Sequence, residues 1–213
     1  MNLLDADALS KFAHWDVLGE LPSLTGFPNA QTATLSTLLH RAARSREKPD
    51  GRLFRDTAAA GRAHDYLKQL APLPAPDEKF IGSIQHVPAI DPGEAVLLAI
   101  LHAHPESLLI TGDKRALGAL TATVEPTMVE PFHGRIVIVE QVVLALLEAR
   151  GIDWLRTHVC PYRILDKAIG IVMGSDCNAP TAVVGAGLRS YITDVGAATG
   201  ALLRSTSPFW SFR

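Results

Sequence analysis

Three acidic residues stand where a carboxylate can do chemistry. Asp5 follows the short apolar run Asn2-Leu3-Leu4, Asp113 follows the apolar run 108–111 (LLIT), and Glu94 opens the long apolar stretch that ends near His104. If the two short runs are parallel strands, their carboxyl ends share one edge of a sheet, where ligands bind in open α/β folds. Asp5 and Asp113 then meet in space although they are distant along the chain. Carboxylates brought together raise each other's pKa, and a divalent cation resolves the conflict. Magnesium takes one or two carboxylates and keeps several waters, which suits a phosphodiester cut by metal-activated water. On this reading Asp5, Glu94 and Asp113 are both the metal ligands and the catalytic groups. Asp7 and Asp91 support them from behind. Thr111 hydrogen-bonds a carboxylate or a phosphate, or else is a β-former at a strand end.

A plainer role accounts for each acid taken singly. Asp91-Pro92-Gly93-Glu94 has the form of a capping box, with Asp at the N-cap, Pro at the first helical position and Glu two further on. Asp113 precedes the helical pattern KRALGAL, and Asp5 precedes Leu9, Phe12 and Ala13 at helical spacing, so both can be N-caps. Caps are commonly Ser, Thr or Asn as well. An ionisable acid at all three places favours a shared task.

The elements that must position these acids can be read in outline. Helical spacing predicts helices over 30–46, 53–71, 77–85 and 92–104, the last apolar on nearly all sides and so buried. A proline-rich connector spans 71–76, and 108–111 is a compact strand. Ile136 to Val139 reads as a buried strand running into a helix that Gly151 stops. Strands alternating with helices indicate a parallel α/β sheet over 1–151. Beyond residue 152 the strand signal ends, and 152–213 reads as a helical extension packed on that domain. The chain has 213 residues, 47% hydrophobic and 20% charged, with a formal net charge of -2. This composition supports a sizeable core and gives no global electrostatic case for nucleic-acid binding. No apolar run approaches a membrane span, and the N-terminus lacks the pattern of a signal peptide. The expectation is a soluble cytoplasmic protein.

The segments NLLDADALSKF, DPGEAVLLA and LLITGDKRAL, in this order, resemble the PIN domain family. The resemblance covers about residues 1–140. It rests on Asp5 with Asp7 two places on, on Glu94 at the start of a buried helix, and on Thr111 and Asp113 in a T-x-D context. It implies a three-layer α/β/α fold with a central, mainly parallel sheet. It also implies a ribonuclease using Mg2+ or Mn2+, of the kind found as a toxin paired with an antitoxin or as a defence component. The family usually carries a further Glu in an early helix. Here that segment, NAQTATLSTLLHRAA, holds no acid, which leaves Thr34, Ser36 or Thr37 to hold a water or Asp91 to supply the charge.

The remaining features are weaker. Arg41, Arg44, Arg46, Lys48, Arg52, Arg55 and Arg62 crowd two helices and could track phosphates, Arg41 and Arg44 foremost. Lys114 and Arg115, beside Asp113, are better placed to touch a phosphate at the metal. His102 and His104 suit the last carbonyls of their helix. Cys160 and Cys177 can bridge but lack the spacing of a zinc site. VVGAGLRS (183–190) and GAATG (196–200) lack the context of a dinucleotide loop and fit close helix packing. Two rival functions stand beside the nuclease. One is a non-catalytic module of the same fold that binds RNA or protein, with the extension as a partner-docking or homo-oligomer surface. The other is a haloacid dehalogenase-like phosphatase, with Asp5 as nucleophile, Asp7 as acid/base and Lys68 or Lys79 as its lysine.

Overall fold

A computed structural model describes residues 1–205; residues 206–213 of the extension lie outside the described residues. Four strands form one sheet: β1 (Asn2–Leu4), β2 (Thr32–Ala33), β3 (Leu108–Thr111) and β4 (Ile136–Ile138). They are all parallel, in the order β2-β1-β3-β4. The chain moves from β1 to one side for β2 and to the other for β3. The crevice between β1 and β3 is therefore the topological switch point, where ligands bind beyond the strand ends.

The side-chain period of two explains why the sheet is sandwiched. Leu3, Leu109, Ile136 and Ile138 enter one apolar core, while Leu4, Ile110 and Val137 enter the other. Strands buried on both faces need helices on both, which is the three-layer α/β/α arrangement. The core on the Leu3 side takes Phe80 and Ile84 from a helix at Glu78–Ile84, Leu97 to Leu101 from Pro92–Ala103, and Leu117 and Leu120 from Lys114–Thr123. The Leu4 side takes Phe12 from α1 (Ala6–His14), Leu38 and Ala42 from Thr37–Ser45, Ala59, Ala60 and Ala63 from Thr57–Leu67, and Val142 to Leu147 from Val139–Arg150. In chain order these helices, with the short Leu21–Thr25 and Pro126–Val129 turns, are α2 (21–25), α3 (37–45), α4 (57–67), α5 (78–84), α6 (92–103), α7 (114–123), α8 (126–129) and α9 (139–150).

The extension continues as α10 (Ile152–Val159), a 3-10 turn at Cys160–Leu165, α11 (Lys167–Met173) and α12 (Thr181–Thr199). Its Leu155, Val159, Ile169, Met173, Val184 and Leu188 are buried in the same core as Phe12 and Val142. Each such side chain contributes about 1.5–3 kcal/mol of burial. A Cβ on Gly187 would come within 2.8 Å of Val172 Cγ1, so this glycine lets α12 approach α11. Among the described residues no helix is long and apolar enough to cross a membrane.

Three sequence expectations change. The helix expected over 30–46 begins at Thr37. Before it Thr32 and Ala33 form β2, and Thr34 donates its hydroxyl to Leu4 O, so the segment extends the sheet instead. The end of strand character at 152 is not complete either. Leu203 forms a parallel bridge to Ile136, Arg204 N donates to Ile136 O (2.7 Å), and Gln141 Nε2 donates to Arg204 O (2.7 Å). His102 does not cap its helix: its ring stacks on Phe80 (4.5 Å between centroids) and lies 3.5 Å from Asp77. The guanidinium of Arg135 takes the carbonyls of Leu101 and His104. Cys160 and Cys177 do bridge.

Candidate active site

The register of the sheet sets the first contact. Leu4 pairs with Ile110, so the next residues of the two chains, Asp5 and Thr111, come side by side at the carboxyl edge. Thr111 Oγ1 donates to Asp5 Oδ2 (3.1 Å) and accepts from the Asp113 N–H (3.0 Å). One hydroxyl thus ties the two acids together. Asp5 Oδ1 accepts from Ala6 N (2.6 Å), capping α1. Asp113 Oδ1 accepts from Arg115 N (2.9 Å) and Ala116 N (3.1 Å), capping α7. Glu94 and Asp91 exchange backbone contacts at 2.8 Å each, the reciprocal capping box at the start of α6. The capping role read from the sequence is therefore real. It is also compatible with a site, because the capped helix ends and the strand ends share one edge.

That edge is a cleft of about 310 Å³ lined by Asp5, Asp7, Asp91, Glu94 and Asp113, with Arg41 and Arg52. A second, tighter pocket repeats Asp5, Glu94, Thr111 and Asp113 over an apolar floor that includes Leu97 and Leu98. Two larger grooves, about 530 and 510 Å³, lie on the extension, but each is mainly apolar and carries a single acid. The electrostatics single out the smaller cleft. Burial, then the charge of Asp7, raises Asp5 to about 6 against hydrogen bonds from Thr111, Ala6 and Gly112. Burial raises Glu94 to about 7, opposed by the Asp91 N–H and reinforced by the charges of Asp113, Asp91 and Asp5. These carboxylates feel one another, and both Asp5 and Glu94 titrate above the usual carboxylate range.

Gly112 marks how tightly this edge is built. A Cβ there would stand 1.8 Å from Asp7 Oδ2 and 3.1 Å from Lys11 Nζ, so only glycine leaves room for the Asp7–Lys11 pair.

The donor set is all hard oxygen, which suits Mg2+ or Mn2+ rather than a thiophilic metal. As the side chains stand, no group of three or more His, Cys, Asp or Glu among the described residues is arranged to hold a metal ion. Partly buried carboxylates whose charges reinforce one another, as at Asp5 and Glu94, still fit a divalent cation held by one or two carboxylates with water completing its shell.

Comparison of the chain with family models, with curated proteins and with solved structures finds no match.

The basic residues fall differently from expectation. Arg41 lines the cleft and pairs with Asp50 (2.5 Å). Burial works to raise Asp50, but the Phe54 N–H, the Arg41 guanidinium and the N–H groups of Arg52 and Leu53 hold it at about 2. Arg44 is exposed on α3 and does not line the cleft. Arg115 is exposed, with Nη2 3.4 Å from Asp113 Oδ2. Lys114 turns away from the expected phosphate contact. Its ammonium lies 2.8 Å from Glu140 and 3.6 Å from Asp166, beneath the extension.

Sequence reasoning missed the network to which Lys114 belongs. Lys11 of α1 bridges Asp7 (2.6 Å) and Asp166 (2.8 Å) and is nearly buried. Asp166 caps α11 through Ala168 N and Ile169 N. Burial raises Glu140, whose side chain is fully enclosed, against the Lys114 ammonium. A signal existed for one member: Glu140 is the lone acid in the apolar run 136–147. A buried acid needs a partner.

Proposed function

We propose that this chain is a metal-dependent endoribonuclease, with Mg2+ or Mn2+ drawn to the carboxylate cleft. One observation carries the reading. Five carboxylates from β1–α1, the β3–α7 turn and the start of α6 line a single cleft with two arginines, and burial, reinforced by the neighbouring charges, raises Asp5 and Glu94.

Asp5 and Asp113 would hold the ion, with Glu94 at its side. A bound cation there supplies an acidified water and a counter-charge for the scissile phosphate. Thr111 keeps Asp5 and Asp113 in register. Glu94, with a carboxyl near 7, is matched to accept a proton at neutral pH. Arg41 and Arg52 offer guanidinium forks for flanking phosphates of the RNA. The resemblance to PIN domains points to the same chemistry and to a toxin or defence setting with a partner protein.

The test has two arms. Calorimetry with Mn2+ should show a millimolar or tighter site that Asp5→Asn removes. A mixed RNA pool should be cut by the wild type and at least a hundredfold more slowly by Asp113→Asn. Equal cutting by both, or no Mn2+ binding, would overturn the reading.

A non-catalytic module that binds RNA or protein is the second reading. It is favoured by the α3 sequence, which offers no acid to the cleft. Ile164, Ile171 and Val183 stand exposed on the extension at 78%, 69% and 56%, the kind of surface a protein partner covers. The phosphatase reading has less support. Asp7, its acid/base, is engaged by Lys11, and neither Lys68 nor Lys79 lines the cleft.

A further inference from the structure

The charges around Lys11 do not cancel. Lys11 and Lys114 contribute two positive charges. Counted at their formal charges, Asp7, Asp166 and Glu140 contribute three negative ones, joined to the lysines by contacts of 2.6 to 3.6 Å, and around Lys11 itself two carboxylates share one ammonium. Of the three acids only Asp7 lines the carboxylate cleft. Asp166 comes from the extension, and the Cys160–Cys177 bridge closes the segment that carries it. Its side chain is almost wholly enclosed, and it reaches both lysines at once.

We infer that Asp166 is a positioning residue for the cleft: by sharing the Lys11 ammonium it leaves the Asp7 carboxylate as a surplus negative charge at the cleft wall. This rests on the metal-dependent reading of the site and adds to it that the extension sets the cleft's affinity for cations. Without the Asp166 charge, the Lys11 ammonium belongs to Asp7 alone. The cleft then loses negative charge although none of its lining residues has changed. Gly112 matters here too, since its missing side chain is what lets Asp7 and Lys11 meet.

Asp166→Asn isolates the charge, because Asn caps a helix about as well as Asp and α11 is retained. Thermal unfolding verifies the fold. Mn2+ binding by calorimetry should weaken about tenfold, the lower end for loss of a residue that supports a metal site indirectly. The double variant Lys11→Gln/Asp166→Asn should recover most of that loss, since nothing then cancels Asp7. A purely structural role predicts the reverse, a double variant worse than the single one. In the metal-free protein at fixed pH, the Asp7 carboxyl 13C and Lys11 15Nζ resonances should also move in Asp166→Asn. Wild-type Mn2+ affinity retained in Asp166→Asn, or unmoved Asp7 and Lys11 resonances, overturns the inference and leaves the nuclease reading standing. A wild type that binds no Mn2+ sinks the nuclease reading, and the resonances then decide the link from Asp166 to Asp7.

Discussion

At the scale of single residues the cleft holds two carboxyls raised first by burial and then by neighbouring charge. Asp5 at about 6 and Glu94 at about 7 bind protons more tightly in the folded chain than in the unfolded one. Between about pH 4 and pH 7 the folded state therefore holds the more protons, and stability falls as pH rises through that window. The fall should be on the order of 2 kcal/mol per carboxylate in metal-free protein, read from urea midpoints at pH 4.5 and 8. Asp5→Asn should accordingly be more stable than the wild type at pH 8, by about 1–2 kcal/mol, while losing Mn2+. A variant less stable at pH 8 would contradict the raised carboxyl. Mn2+ affinity of the wild type should climb from pH 5.5 to 7.5, because the ion competes with these protons. Gly112→Ala tests the crowding. Its methyl group must displace Asp7, so cation binding should drop at least tenfold with little change in unfolding midpoint, because Asp7 is half-exposed and can swing out.

At the scale of elements, what could be read depended on how far each segment carries its own signal. The run 108–111 is three apolar residues and a β-branched Thr and reads as a buried strand; α6 is apolar on nearly every side and is enclosed as expected. The acids at both their ends were legible as caps, which the structure makes them, and it also brings them to the lining of one cleft. β2 was not legible, since a strand of two residues has no period to detect and its neighbours share the helix's Leu and Ala spacing. Lys114 was misread for a different reason. Its partner Asp166 stands in the extension, and local sequence says nothing of a contact made by tertiary packing. The bridge between the 3-10 turn and the loop before α12 gives an element-scale prediction. Closing a loop of this size stabilises by about 3 kcal/mol. Reduction, or Cys160→Ser with Cys177→Ser, should lower the urea midpoint accordingly and loosen α11 before α9, which hydrogen exchange followed residue by residue would detect.

At the scale of the molecule the extension is part of the fold. Leu188 is fully enclosed in the core that also holds Phe12 and Val142. Leu188→Ala should cost about 2–5 kcal/mol by denaturant unfolding. A chain cut after Gly151 should aggregate rather than fold, because its Leu4-side core would lie open; a soluble fragment with a cooperative unfolding transition would contradict this. The sheet's rims carry a last consequence. One ends in β2, only two residues long, and along the other Leu203 and Arg204 lie against Ile136. Among the described residues neither margin presents a long, flat row of open peptide groups to a passing chain. Stacking into fibrils, the common fate of exposed strand borders, is thereby denied a template.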